Sequence, residues 1–116
     1  MRYHQIVVRE YLDQSGSSPF AAWFTGLHAM AAAKVVIALT RLEAGNFSNV
    51  KSVGSGVFEY RIAFGPGYRV YFGKDGNYLV ILLCGGTKKR QQQDVKAALA
   101  RWKDYKRRKG GEQACH

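Results

Sequence analysis

The sequence predicts an α+β domain, and three observations carry the prediction: a β-branched strand near the start, two helix-forming stretches after it, and three closely spaced apolar strands leading into a basic amphipathic helix. The predicted order is β-α-α-β-β-β-α, with the helices packed on a curved antiparallel sheet. The chain has 116 residues, 47% of them hydrophobic, which is enough for one core and too little for two. A single domain is expected over residues 1–109, with 110–116 as a flexible C-terminal tail.

The first strand is YHQIVVRE, residues 3–10, bounded by the turn-forming DQSGSS. Ser18 and Pro19 then signal a helix start: the serine oxygen can accept a free backbone N–H, and proline has none to leave unpaired. A short helix, PFAAWFTGL, follows. HAMAAAKVVIALTRLEAG forms a longer helix, with Ala32, Val35, Val36, Leu39 and Leu42 at helical spacing and Gly45 as its stop. Residues 45–56, rich in Gly, Ser and Asn, read as a connection.

VFEYRIAF, YRVYFGK and NYLVILLC are separated by GPG and by DG, and so predict an antiparallel meander. NYLVILLC is apolar on both faces, as suits a central strand. The chain closes with TKKRQQQDVKAALARWKDYKRRKGG, in which Val95, Ala98, Leu99, Trp102 and Tyr105 form one stripe and Thr87 can cap the start.

Eighteen Lys and Arg against eight Asp and Glu give a formal charge of +10, a field that gathers polyanions. Residues 61–116 hold thirteen basic and four acidic side chains, a balance of +9; residues 1–60 hold five and four, a balance of +1. An anion site therefore belongs in the C-terminal half. Cys84 and Cys115 fit neither a disulfide framework nor a metal motif, and His4, His28 and His116 have no ligand spacing. Free thiols, no metal and no cofactor are expected. The N-terminus has no export signal and no run is long enough to span a membrane, so the expected location is cytoplasmic.

Strand alternation puts Phe58, Tyr60, Ile62 and Phe64 on one face and Glu59 and Arg61 on the other. By the same count Tyr68, Val70 and Phe72 point inward. Arg69 and Tyr71 then join Arg61 on an open, helix-free face. Two readings of the arginines stand side by side: they face a substrate, or they are solvated and Arg61 pairs with Glu59 or a neighbouring acid. Lys88, Lys89 and Arg90 sit where a helix N-terminus favours phosphate, or else form a solvated basic turn. Lys103, Lys106, Arg107 and Arg108 could contact a nucleic-acid backbone, or be a solvated helix end. Trp23, Trp102 and Met30 are expected to fill the core, which leaves Tyr71 as the candidate for base stacking.

FEYRIAFGPGYRVYFGKDG, followed by LVILLCGGTKKRQQQDV and WKDYKRR, closely resembles the addiction-module killer proteins, a HigB-like branch of the RelE/ParE superfamily of type II toxins; WF at 23–24 and RLEAGNF at 41–47 also match. The resemblance implies a RelE-like fold with helices on one side of the sheet. It also implies a helix-turn-helix, HigA-like antitoxin as partner. For RelE-like members the implied activity is ribosome-dependent endonucleolytic cleavage of mRNA, which inhibits translation. ParE-like members inhibit DNA gyrase instead, and a non-catalytic basic protein that retains antitoxin binding is a third possibility. Carried over residue by residue, the motif arginines are Arg61 and Arg69, and the GG-x-K-x-x-Q segment supplies Lys88 and Gln91; Thr87 stands where Asp is expected. Arg61, Arg69, Lys88 and Tyr71 are the expected catalytic residues. Lys89, Arg90, Gln91, Lys103, Lys106, Arg107 and Arg108 are the expected RNA contacts.

Overall fold

The computed structural model describes residues 5–114, with side chains described through residue 110. Tyr3 and His4, expected in the first strand, and Cys115 and His116, expected in the tail, lie outside the described residues. The elements are β1 (Val7–Glu10), α1 (Pro19–Thr25), α2 (Ala29–Glu43), β2 (Val50–Gly54), β3 (Val57–Ile62), β4 (Tyr68–Lys74), β5 (Leu79–Thr87), a 3-10 turn (Lys88–Arg90) and α3 (Gln91–Ala114). Residues 110–114, expected as a tail, continue the last helix.

Local chemistry accounts for the helix starts. Ser18 accepts from the Ala21 N–H at 3.0 Å and Pro19 opens α1. His28 caps α2 through Nδ1, which accepts from the Ala31 N–H at 3.3 Å. Thr87, expected to cap the last helix, makes no side-chain cap bond; the chain enters α3 through the 3-10 turn instead.

The predicted topology is corrected in three respects. First, among the described residues the sheet has five strands, in the order β1-β5-β4-β3-β2, because residues 50–54 of the expected connection form a strand. Its turn into β3 is Gly54-Ser55-Gly56, all at positive φ (103°, 52° and 85°), a left-handed path of the kind tight hairpins require. Second, the sheet is mixed: β1 runs parallel to β5, with Val7 opposite Leu79 and Glu10 opposite Leu82, while the other pairs are antiparallel. Third, the helices lie on both faces. Val35, Ala38 and Leu42 of α2 and Phe20 of α1 pack with Tyr60, Val70, Phe72, Val80 and Leu82. Ala98 and Trp102 of α3 pack with Val57, Tyr71, Ile81, Leu83 and Cys84 from the opposite face.

The two cores explain why β4 and β5 are buried almost throughout. Each fully buried Leu, Val or Phe contributes about 1.5–3 kcal/mol of transfer free energy, so covering the second face roughly doubles what a one-sided sheet could bury. Two glycines let bulky rings onto the sheet. A Cβ on Gly85 would lie 2.2 Å from Trp23, and one on Gly73 would lie 2.3 Å from Trp102. No helix among the described residues is long and apolar enough to cross a membrane.

Candidate functional site

The strand register builds the site in two rows on the α3 face. Glu59, Tyr71 and Cys84 lie opposite one another across β3, β4 and β5. Two residues along, Arg61, Arg69 and Gly86 form the next row. Two arginines directly opposite would repel, and a carboxylate separates their demands: Arg61 Nε donates to Glu59 Oε1 at 2.7 Å, and Arg69 Nη1 donates to the same carboxylate at 3.4 and 3.5 Å. Gln91, where α3 begins, adds Nε2 donation to Glu59 at 3.0 and 3.4 Å.

Burial sorts these groups. Glu59 is 0% exposed and Arg69 7%, whereas the Arg61 side chain is 46% exposed. The pairing of Arg61 with Glu59 that the sequence left open is therefore present, yet Arg61 also reaches solvent. The expected helix-free face is not: α3 covers it from Gln91 onward, because its Val95–Ala98–Trp102 stripe needs an apolar partner and finds one there.

Arg61, Arg69 and Lys88 line an open groove of about 600 Å³ with Asn49, Phe64 and the Gly65–Gly67 turn. The turn places Lys88, whose backbone N–H donates to the Gly67 carbonyl at 2.9 Å. Lys89, Arg90 and Gln91 line an adjoining recess with Lys88.

Tyr71 is corrected as an open-face stacking residue: it is 0% exposed, packed beneath α3 in the core with Trp102 and Cys84. Its hydroxyl has no hydrogen-bond partner among the described residues, and burial first, then the nearby Glu59 carboxylate, pushes its pKa up. Asp94, in the first turn of α3, rests on Gly86, where a Cβ would fall 1.9 Å from Oδ2. Burial raises the Asp94 pKa against the opposing pull of Arg90 and Arg101. Burial also pushes the Cys84 thiol up to about 11.

The remaining basic residues divide. Lys103, Lys106, Arg107 and Arg108 lie roughly three to five turns farther along α3, about 18–26 Å from Gln91 at 1.5 Å per residue. Lys103 is exposed; Lys106 sits 5.8 Å over the Trp102 ring. Arg107 pairs with Asp104 and stays largely exposed. Arg108 is structural in its contacts, donating to Asp104 at 2.6 and 2.9 Å and to the Leu12 carbonyl at 2.5 Å. The structure thus gathers Arg61, Arg69, Lys88, Lys89, Arg90 and Gln91, and sets the second basic cluster apart. Glu59 and Asn49 are additions to the expected set. An acid on the strand face opposite the apolar row, with arginines at i+2 and on the next strand, was the available signal for Glu59.

This is a small basic α+β protein in which Arg61, Arg69, Lys88, Lys89 and Arg90 converge at one end of a mixed sheet. Residues 22–103, which include both arginines, Lys88 and Gln91, match the family described as phage-derived protein Gp49-like (DUF891). The chain belongs to that family, a toxin-like family of toxin–antitoxin systems. It is also similar to an uncharacterized protein of Haemophilus influenzae, 48% identical over 80 residues that cover 68% of this chain and 81% of the relative.

Proposed function

We propose that the protein is a HigB-like toxin of a type II toxin–antitoxin system that cleaves mRNA on the ribosome and so inhibits translation. The observation that carries this reading is the convergence of Arg61, Arg69 and Lys88 on one groove, with Glu59 and Gln91 behind them. In the reaction the ribose 2′-oxygen attacks the adjacent phosphorus, the bond to the 5′-oxygen breaks, and negative charge gathers on the phosphate oxygens. Guanidinium forks suit that charge in geometry and sign, and Lys88 neutralises it from the groove wall. Lys89 and Arg90 guide the flanking backbone, and Lys103, Lys106 and Arg107 offer a separate cationic patch farther along α3. Tyr71 acts from beneath, as packing under the arginine row.

The partner proposed for neutralisation is a HigA-like helix-turn-helix antitoxin, whose acidic segment the +10 surface attracts. The test is mRNA cleavage on programmed ribosomes. Arg61→Ala leaves Arg69 and Gln91 on Glu59, so it should still fold, at a lowered melting temperature, and the folded protein should lose on the order of a hundredfold or more in cleavage rate, the scale of removing one transition-state donor. Intact mRNA with the wild-type protein, together with inhibition of gyrase supercoiling, would overturn the reading.

A further inference from the structure

We infer that Glu59 is the positioning residue of this site: its carboxylate presets both guanidinium forks and ties them to the first residue of α3 without itself touching RNA. The inference rests on the reading that Arg61 and Arg69 hold a phosphate. Three donors from three elements, β3, β4 and α3, end on this single carboxylate. At 0% exposure it has no contact with solvent, so its charge serves the protein rather than a ligand.

The donor atoms matter as much as the acceptor. Among the described residues Arg61 uses only Nε and Arg69 only Nη1 to bond Glu59. The other nitrogens of each fork do not bond Glu59, and both residues line the groove, Arg61 with about half of its side chain exposed and Arg69 at its buried floor. Without the carboxylate, two guanidinium groups facing each other across β3 and β4 would repel and swing apart. A bare Glu59 would be equally untenable, since a buried charge without partners is strongly destabilising. Each charge thus fixes the other, and the pair of forks is set before any ligand arrives, which is the condition for transition-state stabilisation without reorganisation.

The experiment compares wild type, Glu59→Gln, Glu59→Asp and Arg61→Ala in single-turnover cleavage of mRNA on programmed ribosomes, separating the saturating rate from the half-saturating concentration. Glu59→Gln keeps the shape and loses the charge; Glu59→Asp keeps the charge and is too short to reach all three donors. Both should lower the saturating rate by on the order of ten- to a hundredfold, the scale of a small misplacement of catalytic groups, with little change in half-saturation. In parallel, the Arg61 Nε–H signal in ¹⁵N spectra of the free protein should exchange with solvent faster in Glu59→Gln than in wild type. A merely structural Glu59 would lower the melting temperature and leave the saturating rate of the folded fraction intact. That outcome, with Arg61→Ala inactive, overturns this inference alone. Full activity in Arg61→Ala overturns the phosphate reading and this inference with it. If Glu59→Gln does not fold, Glu59→Asp decides the matter by the same criteria.

Discussion

Gly73→Ala is a one-methyl change that tests how α3 is fastened to the sheet. Gly73 lies on β4, and an added Cβ would sit 2.3, 2.5 and 2.5 Å from Cε3, Cδ2 and Cζ3 of Trp102, well inside contact distance. The ring has little freedom to retreat: it is 5% exposed, lies flat on Tyr105 at 5.1 Å, and has Nε1 against Gly56. Gly73 is not among the positive-φ glycines, so alanine brings no backbone strain and the folded-state cost is steric. Overpacking of this kind costs about 1–3 kcal/mol, offset by about 0.4–1 kcal/mol from the stiffer unfolded chain. A net loss of roughly 1–2 kcal/mol should lower the urea midpoint by roughly 1 M at unchanged slope. The decisive arm repeats the change in a Trp102→Ala background, itself about 3–5 kcal/mol less stable. There Gly73→Ala should be neutral or stabilising, since the added methyl enters vacated space. Equal destabilisation in both backgrounds would refute the contact as its cause.

Other outcomes follow from the same geometry. Asp94→Asn should raise the melting temperature at pH 7, because burial disfavours the folded-state carboxylate, and the gain should vanish as pH falls and both states become protonated. Asp104 runs the other way. Hydrogen bonds from Tyr11 and then Arg108 hold its carboxyl at about 2, so its stabilisation is present above the unfolded value of about 3.9 and is lost as pH falls toward 2. Acid titration of Asp104→Asn should lack that part of the slope. Cys84, buried and with its thiol at about 11, should resist a thiol reagent at pH 8 in a Cys115→Ser background until urea unfolds the chain.

What the sequence revealed was local. Alternation placed Phe58, Tyr60 and Ile62 apart from Glu59 and Arg61, and Tyr60 and Arg61 do lie on opposite faces, because a period of two survives any choice of partner strand. Ser18–Pro19 opened α1 through chemistry confined to four residues. What escaped depended on partners distant in the chain. The parallel pairing of β1 with β5 leaves no mark within either strand, and β2 alternates too briefly, between Asn49 and Gly54, to stand out from a loop. Arg69 and Tyr71 pointed away from the first core as expected, yet nothing near them in sequence announced that the stripe at Val95, Ala98 and Trp102 would cover that side. Glu59 went unassigned for the same reason: its third donor, Gln91, is 32 residues away.

The pairing of β1 with β5 also sets a timetable. Val7 finds its partner at Leu79, 72 residues later, so at 5–20 residues per second of synthesis the first strand waits roughly 4–14 s for a neighbour. Closure over such a separation is slow for any chain, and Gln91 emerges later still. Arg61 thus precedes Gln91 by 30 residues of synthesis, and the carboxylate that joins the two arginines gains its third donor only when the last helix arrives.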